Sequence, residues 1–420
     1  MKTELFIASR LKLGNSNTEK SSNPSLNIAV AGMVLAMVIM ILSLTIVCGF
    51  KKEITNKIYQ LDSHIKITNA AVPYISDDIF TVDYDEISPV IQNNLSSLKN
   101  ISSVSLIAEK PSILKTSSDF KGVVYKGVDE NFDWSYINSC LVTGRIPSSK
   151  DASAINEILI SDKISKELGL KVDDKILTYF IDKSVKVRNS KIVGIFKTDF
   201  DEYDKTYILG NIAQIQSVNG WTASKGTYVG VNLSNLNNIN NESYKLYTLL
   251  SNAVYDKGLS TLYNVTNTTR NNLSYFAWLD LLDMNVIIIL ILMAFVSAFT
   301  LISGLLMIIL ERINMIGVLK TFGATNYSIR KIFIYLTHKL IFKSIIWGNI
   351  IGIGLTLLQK YFHIIKLDAE AYYIPYVPVD LNWTSIILLN IGVLIISYIT
   401  LIFPSMIISS IKPSKTIRFE

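Results

Sequence analysis

The chain has 420 residues, of which half are apolar and only 18% charged, with a mean hydropathy of +0.35. Soluble domains carry nearer about 25% charge, and the deficit is concentrated, since residues 26–50, 284–310, 344–359 and 381–411 hold no Asp, Glu, Lys or Arg. A charge at the centre of a spanning helix costs roughly 2.5–3.5 kcal/mol on insertion scales, so such runs read as membrane spans and exclude a soluble cytoplasmic enzyme. The net charge of +6 is modest and sits mostly beside the membrane, which argues against a nucleic-acid partner. The two cysteines, Cys48 and Cys140, fall in very different surroundings and are expected as free thiols.

In chain order, residues 1–25 form a polar leader in which Leu5–Leu13 suits a helix lying in the inner interface. The first span, 26–50, is too long for a signal-peptide core, and Val47 before Cys48 argues against a lipoprotein signal. Residues 51–283 form a large polar segment, and 284–310 are the second span. A helix and loop at 311–339 precede the third span, 340–362, whose uncharged core Ser344–Gln359 crosses only if Lys343 and Lys360 snorkel. An outer loop, 363–383, the fourth span, 384–409, and a tail, 410–420, complete the chain. Lysines and arginines gather at the leader, on 311–343 (Arg312, Lys320, Arg330, Lys331, Lys339, Lys343) and on the tail, so both termini are expected in the cytoplasm. The expected fold is membrane α-helical, with four transmembrane helices and a large extracytoplasmic α+β domain between spans 1 and 2.

Within that outer domain, long enough for its own core and for two subdomains, alternation predicts strands at His64–Thr68, Ser105–Ile107, Val123–Val128, Ile158–Ile160, Lys175–Phe180 and Lys191–Phe196. Helical patterns fall at Ser161–Gly169, Asn211–Asn219 and Glu242–Lys257. The segment's one histidine, His64, reads as a strand-face residue and supports no metal site. The acidic pairs Asp77/Asp78, Asp173/Asp174 and Asp201/Glu202 read as turn and cap formers, and no serine stands in a nucleophile-elbow context. No G-x-x-x-x-G-K-[ST] loop exists in the chain, so any ATP is bound by another subunit.

Two further patterns concern the membrane segments. Gly348-x-x-x-Gly352-x-Gly354 and Gly32-x-x-x-Ala36 put small residues on one helix face, as close helix packing requires. On the inner side, Glu311–Thr325 carries Ile313, Ile316, Leu319 and Phe322 at every third position, with Gly323 as a stop. From the residues alone, this helix either rests on lipid headgroups or docks in a groove of a cytoplasmic partner.

The order of these features, one span, a large outer domain, then three clustered spans, resembles the FtsX-like permeases of the ABC superfamily, in their lipoprotein-releasing (Lol-type) branch. The likeness rests on Phe6-Ile-Ala-Ser-Arg10, Cys48-Gly-Phe-Lys-Lys-Glu53, Ser63-His-Ile-Lys-Ile67, Lys126-Gly-Val-Asp129, Ile158 through Leu170, Val193-Gly-Ile-Phe196 with Glu202-Tyr-Asp204, Gly317 through Ala324, Tyr373-Ile-Pro-Tyr-Val-Pro-Val379, and Pro404 through Glu420. It covers nearly the whole chain. The resemblance implies a permease paired with itself or a sibling, driven by a cytoplasmic ABC ATPase dimer that binds the ATP and Mg. It implies ATPase coupling through Glu311, Arg312, Ile313, Ile316, Leu319, Lys320 and Phe322. It also implies a lipid and cargo cleft on spans 1 and 2, at Val34, Val38, Ile41, Val296, Thr300 and Ser303, and transfer of lipoproteins to a soluble periplasmic carrier. A carrier-docking hook loop is not legible in the sequence. Two alternatives stand beside this: a related mechanotransmission permease for another cargo or for hydrolase activation, and a membrane-anchored sensor or ligand-binding protein.

Overall fold

The computed structural model describes residues 24–70, 81–94, 96–148, 154–181, 184–257 and 261–410. The leader helix, Asp77/Asp78 and the tail from 411 lie outside the described residues. The chain divides into two compact units. One comprises the stretch up to Glu53, Trp278–Lys366 and the chain from Tyr376; the other comprises Ile54–Ala277 and Leu367–Pro375.

The chain runs from α1 (Pro24–Leu61) through β1 (Ile65–Asn69), β2 (Val82–Asp83), α2 (Tyr84–Asn93), β3 (Ile101–Lys115), β4 (Phe120–Val128), α3 (Ser135–Ser139), β5 (Leu141–Gly144) and β6 (Glu157–Ser161). Then follow α4 (Asp162–Leu168), β7 (Lys175–Ile181), β8 (Val185–Phe196), α5 (Asp201–Thr206), β9 (Tyr207–Asn211), α6 (Ile212–Asn219), β10 (Lys225–Gly226), β11 (Tyr228–Leu233), α7 (Ile239–Lys257), β12 (Tyr263–Asn267) and α8 (Thr268–Asn271). All but α1, most of which belongs to the other unit, build the α+β unit. The predicted strands and helices are all present, with shifted ends. Capping accounts for the sharpest ends: Ser161 Oγ accepts from the Ile164 N–H at 3.1 Å, and Gly169 leaves α4 at φ +65°. Asn211 and Gly220 bracket α6 in the same way.

Ten strands form one mixed sheet, and β7 pairs with both β3 and β8, so β3, β4, β9, β6, β8 and β7 close into a ring. β11, β1 and β12 extend the same sheet. The two subdomains expected from length are therefore joined by one sheet over a continuous core that includes Ile65, Tyr125, Ile160, Phe180, Ile208 and Val231. β3 is far longer than the predicted Ser105–Ile107 and runs on through Lys110 and Pro111. Lys110 is buried, its ammonium donating to Asn219 Oδ1 at 2.7 Å. Pro111 sits where one edge of β3 passes from β11, which pairs to Ile107, to β7, which pairs from Ser112. On that edge no strand asks for its missing N–H.

The other unit is built on α1 and on α9 (Leu273–Glu311), α10 (Ile313–Thr321), α11 (Asn326–Phe362) and α13 (Trp383–Ser410), while the four-residue α12 (Ala369–Tyr372) belongs with the sheet. α1, α9, α11 and α13 are each long and apolar enough to cross a membrane. Two members of the expected small-residue stripe are used for packing: a Cβ on Gly348 would stand 2.6 Å from Met37, and one on Gly352 would stand 3.0 Å from Ile41. Gly32 faces Thr300, and Gly304 faces Ala29. Gly354 faces open space. Asn349 and Asn390 exchange side-chain amide hydrogen bonds at 2.7 and 3.1 Å, fixing α11 to α13.

One boundary differs in substance. The stretch 326–339, expected as part of a cytoplasmic loop, is helical and continuous with the third span. Ile329, Ile332, Phe333, Leu336 and Thr337 are buried on one face of it, an i, i+3, i+4, i+7, i+8 pattern that Arg330 and Lys331 masked. The outer loop likewise is not structureless. Gln359 bonds to the Ile365 N–H and to the carbonyls of Ile365 and Val377, closing it beside a Lys366–Tyr376 bridge.

Candidate coupling helix and membrane cleft

Two local breaks isolate α10. Arg312 leaves helical geometry at φ −113° and ψ 18°, and Gly323 adopts φ +82° while its N–H bonds to the Lys320 carbonyl at 3.1 Å. The Thr325 hydroxyl then accepts from the Ser328 N–H and starts α11. The resulting short helix lies against its own unit. Ile316 is fully buried in a cluster with Ile329 and Phe333, and Met315, Leu319 and Ala324 pack partly against it.

This corrects the predicted apolar stripe. Residues spaced by three drift about 60° per step on a 3.6-residue helix, so the first and fourth members lie half a turn apart. Ile313 and Leu319 are half-buried, Ile316 faces inward, and Phe322, 85% exposed, faces outward. The free face runs instead through Asn314, Val318, Thr321 and Phe322, spaced i, i+4, i+7 and i+8. Val318, 45% exposed, is not among the expected coupling residues, although its i,i+4 relation to Phe322 marks it in the sequence. Glu311 is exposed beside this face; Arg312 and Lys320 are half-buried.

The six predicted cleft residues do not share one surface. Ile41 is fully buried against Gly352, and Val38 is also buried, so both serve internal packing. Val34 and Thr300 are half-buried, Thr300 against Gly32. Val296 and Ser303 are exposed on α9. They flank a larger apolar row, Ile288, Leu292, Phe295 and Phe299, which is about half exposed or more. Because the span is apolar all round, its hydrophobic pattern could not distinguish lipid-facing from packed positions. At one end of this region Lys51 pairs with Asp283 at 2.5 Å and Asp280 at 3.4 Å, and Phe50 meets Trp278 edge-on, joining α1 to α9.

In the α+β unit the acidic pairs that are described do structural work. Asp174 accepts from the Lys171 N–H, and Asp201 pairs with Lys163 and with Lys205. His64 accepts a hydrogen bond from the Leu233 N–H at 2.8 Å through Nδ1, and burial pushes its pKa down. Asp204 holds the turn before α5 by accepting from the Thr198 hydroxyl at 2.7 Å and from the Thr198 N–H. Burial raises its carboxyl to about 6, so ionising it costs folding energy that is fully present above that value and disappears toward 3.8. Moving from pH 7.5 to 5 should relieve the wild type by on the order of 1 kcal/mol relative to Asp204→Asn, whose amide does not titrate. Thermal midpoints of the intact chain in detergent at the two pH values check this. A difference between the proteins that does not change with pH contradicts it.

Comparison with known proteins covers both units. Residues 27–239 match the MacB-like periplasmic core domain, and residues 287–413 match the FtsX-like permease C-terminal family. The lipoprotein-releasing system transmembrane protein LolC of Xylella fastidiosa (strain 9a5c) is 21% identical over 407 residues, spanning 93% of each chain. LolC of Neisseria meningitidis serogroup B (strain ATCC BAA-335 / MC58) is 22% identical, spanning 94% of each chain. The protein named LolE from Haemophilus influenzae (strain ATCC 51907 / DSM 11121 / KW20 / Rd) is 22% identical, spanning 99% of each.

Proposed function

This chain belongs to the FtsX-like permeases that carry a MacB-like periplasmic core domain, and from that premise we propose that it is the membrane subunit of an ATP-driven complex that releases lipoproteins from the inner membrane. The cargo class is carried over from relatives with that name that match almost end to end. The single observation that supports force transmission is α10, whose inner face is locked into the membrane unit while Val318 and Phe322 stand free.

In this reading a separate cytoplasmic ATPase dimer binds ATP and Mg and seats α10. Both termini of the permease are cytoplasmic, the α+β unit is periplasmic, and a second permease, a sibling or another copy, completes the pair. Glu311 and the α10 face Asn314, Val318, Thr321 and Phe322 meet the ATPase. Ile316 and Leu319 pass its movement into the packed spans. The exposed α9 row with Val296 and Ser303 receives acyl chains, and the periplasmic unit hands the lipoprotein to a soluble carrier. Each methylene withdrawn from the bilayer costs about 0.8 kcal/mol, so expelling a multiply acylated protein requires an external source of free energy. ATP-dependent release of a lipoprotein from proteoliposomes holding the permease pair and its ATPase tests the proposal.

A further inference from the structure

α1 runs without a break from Pro24 to Leu61. Its last carbonyls, like those of any helix, lack intrahelical donors. In the α+β unit one of them is met from the sheet: Lys126, in β4 and only 2% exposed, donates from Nζ to the Leu61 carbonyl at 3.2 Å. Among the described residues Lys126 makes no ion pair; its ammonium otherwise stands 6.0 Å from the ring centres of Tyr203 and Tyr207. A cation at a helix C-terminus is favourable to the helix dipole, and although Glu109, the register partner of Lys126 on β3, lines the same cavity with Asp62 and Glu202, the hydrogen bond the ammonium makes goes to the helix backbone.

Ile58 and Leu61 are buried, but not against solid packing on every side. Ile58 and Leu61 border a cavity of about 210 Å3 that Lys126, Glu109, Tyr203 and Tyr207 also line. Directed polar contacts add to this burial. Lys57 donates to the carbonyls of Thr198 at 2.9 Å and Tyr373 at 3.0 Å, the Tyr59 hydroxyl meets Thr269, and Asp62 pairs with Lys66 at 2.8 Å. Lys57 and Tyr59 reach outward from the helix, whereas Lys126 reaches inward to the helix backbone from a strand of the sheet.

We propose that Lys126 is a positioning residue for cargo release, fixing the last turn of α1 to β4 so that displacement of the span moves the sheet. The inference rests on the force-transmission reading above, and it adds the place where span and sheet are joined. Methionine at position 126 keeps the length and apolar stem of lysine and removes the donor. In proteoliposomes with the ATPase and a triacylated lipoprotein, Lys126→Met is expected to leave the thermal midpoint unchanged or higher and ATP turnover within about twofold, while lipoprotein released per ATP falls about tenfold, the scale of one charge-assisted hydrogen bond. Amide exchange at Ile58–Asp62 should speed up in this variant and stay unchanged in β4. Release per ATP equal to wild type overturns the proposal. If the variant does not fold, wild-type exchange decides: protection at Ile58–Asp62 matching β4 supports the joint, and fast exchange there overturns it. Absence of release by the wild-type complex defeats the functional reading instead, and the exchange measurement still judges Lys126.

Discussion

Val318→Asp and Phe322→Asp are expected to detach the ATPase from the permease while leaving the membrane unit folded. Both side chains are exposed, so a carboxylate in either place is solvated and costs the fold little. In the proposed complex the same carboxylate would be pressed against the ATPase where Val318 and Phe322 now offer apolar surface, and central apolar contacts of this kind are worth about 2 kcal/mol or more, roughly 30-fold in affinity. Co-purified ATPase and ATP-driven release should fall together. Ile316→Asp must behave differently, because it places a carboxylate among Ile329 and Phe333 in the core, and an unpaired buried charge destabilises by several kcal/mol. Expected for that variant is loss of the chain from the membrane fraction. Full ATPase stoichiometry in both the Val318 and Phe322 variants shows that the exposed face of α10 is not the docking surface.

The glycines of α11 set up the second large effect. Gly348→Leu drives a side chain into Met37, where even a Cβ lies 2.6 Å from its Cβ and Cγ, and Gly352→Leu does the same to Ile41. Since both contacts lie in the middle of helix–helix interfaces, α1 and α11 must separate, and the lost packing should exceed the usual 1–3 kcal/mol of core overpacking. Gly354→Leu, two residues beyond Gly352 and facing open space, is the control and should be nearly neutral. Detergent-solubilised thermal unfolding separates the outcomes. Equal stability of Gly348→Leu and Gly354→Leu contradicts the packing described.

Local signals decided which parts of this structure could be read in advance. Strands such as Lys175–Phe180 are legible by alternation, and α4 and α6 by helical patterns whose ends the structure sets with Ser161, Asn211 and the glycines that follow, because these devices act within a few residues. Charge-free runs located the spans for the same reason. Signals that depend on a neighbour were lost. β3 passes Pro111 only because two partner strands leave a gap on that edge, and β9 lies parallel to β4 through contacts far apart in sequence. The start of α11 is hidden in the sequence because Arg330 and Lys331 read as the cytoplasmic side of the span while the buried face lies opposite them. The site residues suffered most. Stepping by three instead of by 3.6 grouped inward Ile316 with outward Phe322, and a span apolar on every side gave no means of sorting Ile41 from Val296.

If free energy from ATP, captured by a separate subunit, passes through this permease to lift acylated cargo out of the bilayer, release must need every one of those parts. Reconstituting the permease pair with its ATPase in proteoliposomes loaded with a triacylated lipoprotein, and measuring soluble lipoprotein after adding ATP in the presence of a carrier, tests it most directly. Release is expected only when ATP, the ATPase and the permease are all present. Equal release with the ATPase omitted, or no release from the complete and hydrolysing complex, contradicts it.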